Sequence, residues 1–310
     1  MTTRVSTLKM ISNENEDIFD NRPKTPPKES CCGSGCNPCI LDVYEKLLKQ
    51  WEERKKNNIL IERKKNVISP TSLNTFVVSD NYKASKDYIF LWLEYKGNIN
   101  NNRSLYLIPG QYIILRYGSM SKAYTPISWS ETSLMLLIKV YPSGRFSQLL
   151  NNAKKNDEFE IRGPYGDFIY NINSFHEIIM FSIGSGITAV YPIAKVIVEN
   201  EEEETKINFI AGFQSISCVP LKKELQNLAD YWNFVCTLHI SEDLVSDTNQ
   251  SIHGINIENE RLSKQSVYNY LQRNQKPNTT LILICGTDEF NHSIEQWSRE
   301  NNYSHIHVFR

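Results

Sequence analysis

Between residues 73 and 170 the apolar positions come in runs of strand length: TFVVSD, DYIFLWLEY, YIILRY, LMLLIKVY, DEFEIRGP and DFIY. Runs this short, several of them alternating apolar with polar, read as strands. Turn formers separate them, among them Pro109-Gly110, Ser143-Gly144 and Gly163-Pro164. A single helical stretch, RFSQLLNNAKK, interrupts the series, and the pattern predicts a small antiparallel β-barrel. From His176 the rhythm changes to strand then helix: EIIMFSI, ITAVYPIAKVIVEN, KINFIAGF, PLKKELQNLAD, NFVCTLHI, a helix around 258–272, TLILICG, EFNHSIEQWSREN and HIHVF. Apolar runs without alternation, spaced by helical patterns, predict a parallel sheet covered on both faces. The expected fold class is therefore α+β and then α/β, an antiparallel barrel over 70–173 followed by a doubly wound parallel-sheet domain over 174–310.

Ahead of these lies a different kind of chain. Residues 1–25 are polar and are expected to be disordered, since nothing there offsets the entropy of ordering. Residues 26–62 carry CCGSGCNPC and then LDVYEKLLKQWEERKK, where Leu41, Tyr44, Leu48 and Trp51 recur at spacings that predict an amphipathic helix. The tail NNILIERKKNVISPTS reads as a linker. The run EEEE at 201–204 reads as a solvated helix end, and no internal repeat is present.

A length of 310 residues fits about two domains, and a formal net charge of −1 gives no global field for nucleic acid or anionic membrane. Small molecules or another protein are the expected partners. No stretch approaches the ~18 to 20 apolar residues of a membrane-crossing helix, and the first thirty residues lack a secretory pattern, so a cytoplasmic location is expected. Of seven cysteines, four crowd into one segment and Cys218, Cys236 and Cys285 are scattered, which suits a reducing compartment better than a disulfide framework.

Four places could carry chemistry. IGSGIT ends the first strand of the second half and opens a helix; Gly184 and Gly186 permit close backbone approach, and Ser185 and Thr188 supply hydroxyls. Such a turn either cradles phosphate or is only tight. Cys285-Gly286 ends another strand at the same edge, where the thiol is a site residue or simply core. In YPSGRFSQLL, Arg145 in the first turn opposes the helix dipole, which makes sense beside an anion or if the side chain turns to water. Lys139 on the preceding strand is by itself an ordinary exposed position.

Taken in order, KAYTPIS, GRFSQLL, RGPYG, GSGIT, CG and a C-terminal aromatic resemble the ferredoxin-reductase type of flavoprotein, most closely the NADH-cytochrome b5 reductase family, over residues 73–310. The resemblance implies FAD and NADH. It puts Lys122 beside the flavin diphosphate, Tyr124 on the flavin and ribityl chain, Thr125 near the reactive flavin nitrogen, and Ser128 at the end of the same motif. Gly144, Arg145, Phe146 and Ser147 match the diphosphate-contacting turn. Lys139, Gly184, Gly186, Ile187 and Thr188 match the nicotinamide-nucleotide site, and Cys285 with Gly286 the pair beside the nicotinamide. Thr125 and Cys285 would stand at the reacting centre. There are departures: Lys122 replaces an arginine, Ile183 a glycine and Ala189 a proline. Thr287-Asp288-Glu289 replaces prolines, Arg310 follows the aromatic Phe309, and Cys218 stands where an aspartate would disfavour NADPH, leaving NADPH open.

Cys31 to Glu53 resemble the oxidoreductase-like module found ahead of some cytochrome b5 reductase-like domains. Cys31, Cys32, Cys36 and Cys39 are candidate ligands for a tetrahedral ion, zinc ahead of an iron-sulfur cluster, although adjacent Cys31 and Cys32 are awkward joint ligands; a reduced segment docking through the following helix is the alternative. The function implied is an FAD-dependent NADH reductase passing electrons singly to a cytochrome b5-type haem or similar acceptor. The rival is an eroded flavoprotein that serves as a scaffold.

Overall fold

The computed structural model describes residues 22–27, 30, 33, 38–56, 65–99, 103–242, 251–273 and 276–310. Helix α1 (Ile40–Lys56) comes first, as its apolar spacing predicts. A two-stranded parallel sheet follows, β1 (Lys65–Asn66) with β4 (Arg103–Ser104).

The barrel strands are β2 (Asn74–Ser85), β3 (Tyr88–Tyr95), β5 (Tyr112–Tyr117), β6 (Met120–Tyr124), β7 (Pro126–Trp129), β8 (Ser133–Lys139) and β9 (Glu158–Tyr165), with helix α2 (Arg145–Asn151) between the last two. They form one antiparallel sheet in the order β6-β5-β9-β2-β3-β8-β7. β6 and β7 are consecutive in the chain, separated only by Thr125, yet occupy opposite edges of that order. The sheet must therefore roll until its edges meet, and KAYTPISW runs along the seam. This segment is paired on both sides of Thr125, where the sequence suggested an interruption between strands. Phe76, Leu91, Leu93, Leu115, Leu134 and Leu136 fill the interior. Alternation sends the other face elsewhere: Tyr88 and Phe90 of β3 and Leu137 of β8 join the core of the second half, as does Ile127 of β7.

The second half contains β10 (Glu177–Ile183), β11 (Lys206–Phe213), β12 (Phe234–Ile240), β13 (Ile255–Glu258), β14 (Thr280–Cys285) and β15 (Ile306–Phe309) in an all-parallel sheet ordered β13-β12-β11-β10-β14-β15. The continuous apolar run of β10 divides by its period of two: Ile178 and Met180 pack in one core, Ile179 and Phe181 in the other. Helices α3 (Ile187–Val198) and α4 (Lys222–Ala229) cover the first face, α5 (Lys264–Arg273) and α6 (Asp288–Glu300) the second. The order reverses at β10, between β11 and β14, and this switch point is where open parallel sheets bind ligands.

Some local expectations are corrected. DFIY is not a strand: Phe168 packs against Phe309 and His307, Ile169 is exposed, and Tyr170 Oη donates to Glu203 Oε1 at 2.9 Å, so the run bridges the two halves. Residues 201–204 are not a helix end, since the preceding helix stops at Val198, and they are not all solvated: Glu203 is only 4% exposed and holds Tyr170 and the Asn173 amide. The helix expected around 258–272 begins at Lys264, because 255–258 pair as edge strand β13. The described part of the expected linker packs on the barrel: Val67 and Ile68 are 0% and 2% exposed, and Tyr165 Oη donates to the Pro70 carbonyl at 2.6 Å.

Candidate functional site

Between the two halves, the seam of the barrel faces the switch point of the parallel sheet. β7 packs on α3, and the end of β8 meets the turn Gly184–Gly186. Lys139 is the last residue of β8 and lies on the same face as Leu137, which belongs to the nucleotide-side core, so the pleat aims it across the cleft. Its ammonium sits 5.3 Å from the Tyr141 ring centre and 6.0 Å from that of Tyr88.

On the barrel side, Lys122 and Arg145 are exposed cations, while Tyr124, Thr125 and Ser128 are half-buried along the seam. Burial raises the Tyr124 phenol far above its ordinary value, so it stays neutral. Its ring stands 6.3 Å from that of Phe146. Gly144 has no room for a side chain, since a Cβ there would lie 2.5 Å from Ser147 Oγ. Ser147 ties the turn together: its hydroxyl donates to the Gly144 carbonyl at 3.0 Å and accepts from the Tyr141 amide at 3.1 Å. Its role is thus to shape the turn that presents Arg145.

On the sheet side, Ser182 pairs with Cys285, which brings the turn after β10 against the turn after β14. A side chain on Gly186 would overlap the Cys285 carbonyl, and one on Gly286 would meet Ile183 and Phe290 at 2.6 Å. Gly186 is required by close backbone approach, and Gly286 is crowded by two neighbouring side chains. Ile187 is buried, and Thr188 Oγ1 donates to the Ser185 carbonyl at 2.9 Å, locking the first turn of α3. Gly184 takes the left-handed conformation, φ 55°. The Cys285 thiol is pushed up to about 12 by burial. The Ile183 side chain lies between Gly212 and Gly286 at the sheet edge.

Sequence reasoning missed two features. Cys218 is 4% exposed and donates to Asp87 Oδ2 at 3.1 Å, so a carboxylate from the barrel stands beside that cysteine. Tyr88 faces the cleft beside Lys139, a placement its position in the alternating run DYIFLWLEY could have shown. As for the cysteine module, Cys31, Cys32 and Cys36 lie outside the described residues; Cys39 is a half-exposed free thiol, and no metal-binding cluster occurs among the described residues.

Three family models match the chain: an oxidoreductase FAD-binding domain over residues 75–170, an oxidoreductase NAD-binding domain over 180–296, and the N-terminal domain of oxidoreductase-like proteins over 18–59. A human (Homo sapiens) protein named NADH-cytochrome b5 reductase-like is 32% identical over 239 residues, 73% of this chain and 75% of that protein. The chain belongs to the NADH-cytochrome b5 reductase-like family. The mouse (Mus musculus) member of that name is 30% identical over 287 residues, 87% of this chain and 89% of its own length. The cytochrome b5 reductase domain of Ulva prolifera nitrate reductase shares the fold, with a TM-score of 0.66 at 19% identity over 79% of this chain and 100% of that one. The b5 reductase-like chain thus carries FAD-binding and NAD-binding oxidoreductase domains, and among its described residues no helix is long and apolar enough to cross a membrane.

The cleft suits these groups on its own chemistry. Lys122 and the Tyr124 ring on the seam, with Arg145 at the start of α2, have the charge and shape to hold a flavin diphosphate and ring; on the other side, Gly186 lies against the Cys285 carbonyl and Lys139 stands beside left-handed Gly184.

Proposed function

We propose that the protein is an FAD-dependent NADH reductase that passes electrons one at a time to a haem protein or similar acceptor. The observation that carries this reading is the meeting of seam and switch point at one cleft: Lys139 Nζ, on the barrel, lies 3.8 Å from where a side chain on Gly184 would begin. In such a pairing the flavin accepts hydride from the nicotinamide and releases electrons singly. The protein's part is to bind and orient. Lys122 and Arg145 neutralise diphosphate charge, with Lys122 acting as a point charge and not a bidentate fork. Tyr124 offers a ring face, and Thr125 a hydroxyl at the seam. Gly184, Gly186, Thr188 and Lys139 seat the dinucleotide, while Cys285 and Gly286 form the floor under its reacting end. Asp87, beside Cys218, supplies negative charge that opposes a further phosphate, which supports NADH over NADPH. The free thiols of Cys39 and Cys285 suit a cytoplasmic setting.

The visible spectrum of the purified protein under anaerobic conditions, before and after NADH, tests the reading. A yellow protein that bleaches is expected; one that stays yellow with both NADH and NADPH refutes reductase activity. That second outcome would favour a flavoprotein scaffold, for which the observation is Ile183, whose branched side chain narrows the sheet edge.

A further inference from the structure

Tyr88 and Lys139 are register partners on the antiparallel strands β3 and β8, and both lie on the face that leaves the barrel for the nucleotide-side core. Tyr88 is 2% exposed, and its buried hydroxyl has no hydrogen-bond partner. Its neighbours at the cleft are satisfied: Cys218 donates to Asp87, and Ser85 Oγ donates to the Cys218 carbonyl at 3.2 Å. A hydroxyl buried without a partner costs stability, and folded proteins rarely keep one without a reason. This one is aimed at the switch-point turn. It lies 3.6 Å from the point where a side chain on Gly184 would begin, and the Lys139 ammonium lies 3.8 Å from the same point. A phenol donor and a cation thus converge above a left-handed glycine that opens a helix, a combination suited to a phosphate oxygen.

Resting on the reading of this turn as the dinucleotide site, we propose that Tyr88 is a binding residue whose hydroxyl donates to a diphosphate oxygen of the pyridine dinucleotide. Lys139 and the Gly184 turn border the hydroxyl, so an anion arriving at the turn draws the ammonium toward itself and takes the phenolic hydrogen bond. Phenylalanine at this position keeps the ring that packs in the core and removes only the unpaired donor. Tyr88→Phe is therefore expected to leave the unliganded fold as stable as before while weakening the ligand.

Full-length wild type, Tyr88→Phe and Lys139→Met are compared by calorimetric titration with ADP-ribose, which has the diphosphate but no nicotinamide, together with thermal melts without nucleotide and flavin content per protein. The expected result for Tyr88→Phe is an unlowered melting temperature, unchanged flavin content, and an ADP-ribose affinity about tenfold weaker, the size of one hydrogen bond to a charged acceptor. If Lys139→Met weakens ADP-ribose but Tyr88→Phe binds as wild type, the nucleotide site stands and the role of Tyr88 is overturned. A melting temperature lowered by several degrees in Tyr88→Phe overturns it too, since the hydroxyl would then have a partner within the fold. Wild type that binds neither ADP-ribose nor NAD+ removes the nucleotide reading itself, and this assignment with it.

Discussion

With its thiol raised to about 12 by burial, Cys285 remains protonated across neutral pH and is no nucleophile. What it offers is shape: its carbonyl lies against Gly186, where a side chain would overlap it. Cys285→Ala is expected to slow flavin reduction by NADH, measured by stopped flow, more than it weakens NAD+ binding, because misplacement of reacting atoms by about 1 Å can cost ~100-fold in rate. Unchanged reduction would make it an ordinary core cysteine. Lys122 is exposed at the seam, so changing it disturbs little packing. Lys122→Glu is expected to release FAD and Lys122→Arg to hold it at least as well; stoichiometric flavin in the glutamate variant would remove Lys122 from the site.

At the scale of elements, β12 carries a buried polar group that couples stability to pH. His239 Nδ1 donates to the Glu260 carbonyl at 3.2 Å and, in the neutral ring, Nε2 accepts from Tyr270 Oη at 2.9 Å; burial lowers its pKa from 6.5 despite the opposing pull of Glu260 and Glu258. In the folded protein the neutral ring is favoured, while the unfolded chain takes a proton near 6.5. Its contribution is therefore present above the unfolded value and is lost as pH falls through the depressed one. His307, lowered by burial between Phe168 and Phe309, acts in the same sense. Urea midpoints are expected to fall between about pH 7.5 and 5.5 with the slope m unchanged, and His239→Gln to flatten that fall. A profile equally steep in the variant would place the titration elsewhere.

For the whole molecule, the halves are stitched by more than the linker: the Lys86 amide donates to the Ser217 carbonyl at 3.1 Å, and Cys218 reaches Asp87 across the boundary. The N-terminal module is also docked. Ile40 is 1% exposed, and Arg162 Nη2 of β9 donates to the Pro38 carbonyl at 2.8 Å. We propose that the barrel unit begins at Lys65, since Val67 and Ile68 belong to its core. Deleting residues 1–64 is expected to lower the melting temperature modestly and keep most of the flavin. Deleting 1–70 also removes two buried aliphatic side chains, at about 2 to 5 kcal/mol each by analogy with core truncations, and is expected to lose both fold and flavin. Equal flavin content in the two deletions would put the boundary back near Pro70.

The sequence by itself determined what depends on local spacing. The period of two marked the barrel strands, unbroken apolar runs marked the buried parallel strands, and the ordered motifs named the family. Glycines 184, 186 and 286 were legible because each place disfavours a side chain: a left-handed φ at Gly184, the Cys285 backbone against Gly186, and the Ile183 and Phe290 side chains against Gly286. Four-residue β13 was not legible, because an edge strand with two exposed residues carries too little pattern. DFIY was apolar enough to pass for a strand but has no ladder partner. Only the tertiary structure decided that strands separated by Thr125 lie at opposite edges of a rolled sheet, that Tyr88 stands opposite Lys139, and that Asp87 meets Cys218. These are pairings between residues far apart in the chain. They are fixed by which faces of the sheets can be buried together, and no local period records that choice.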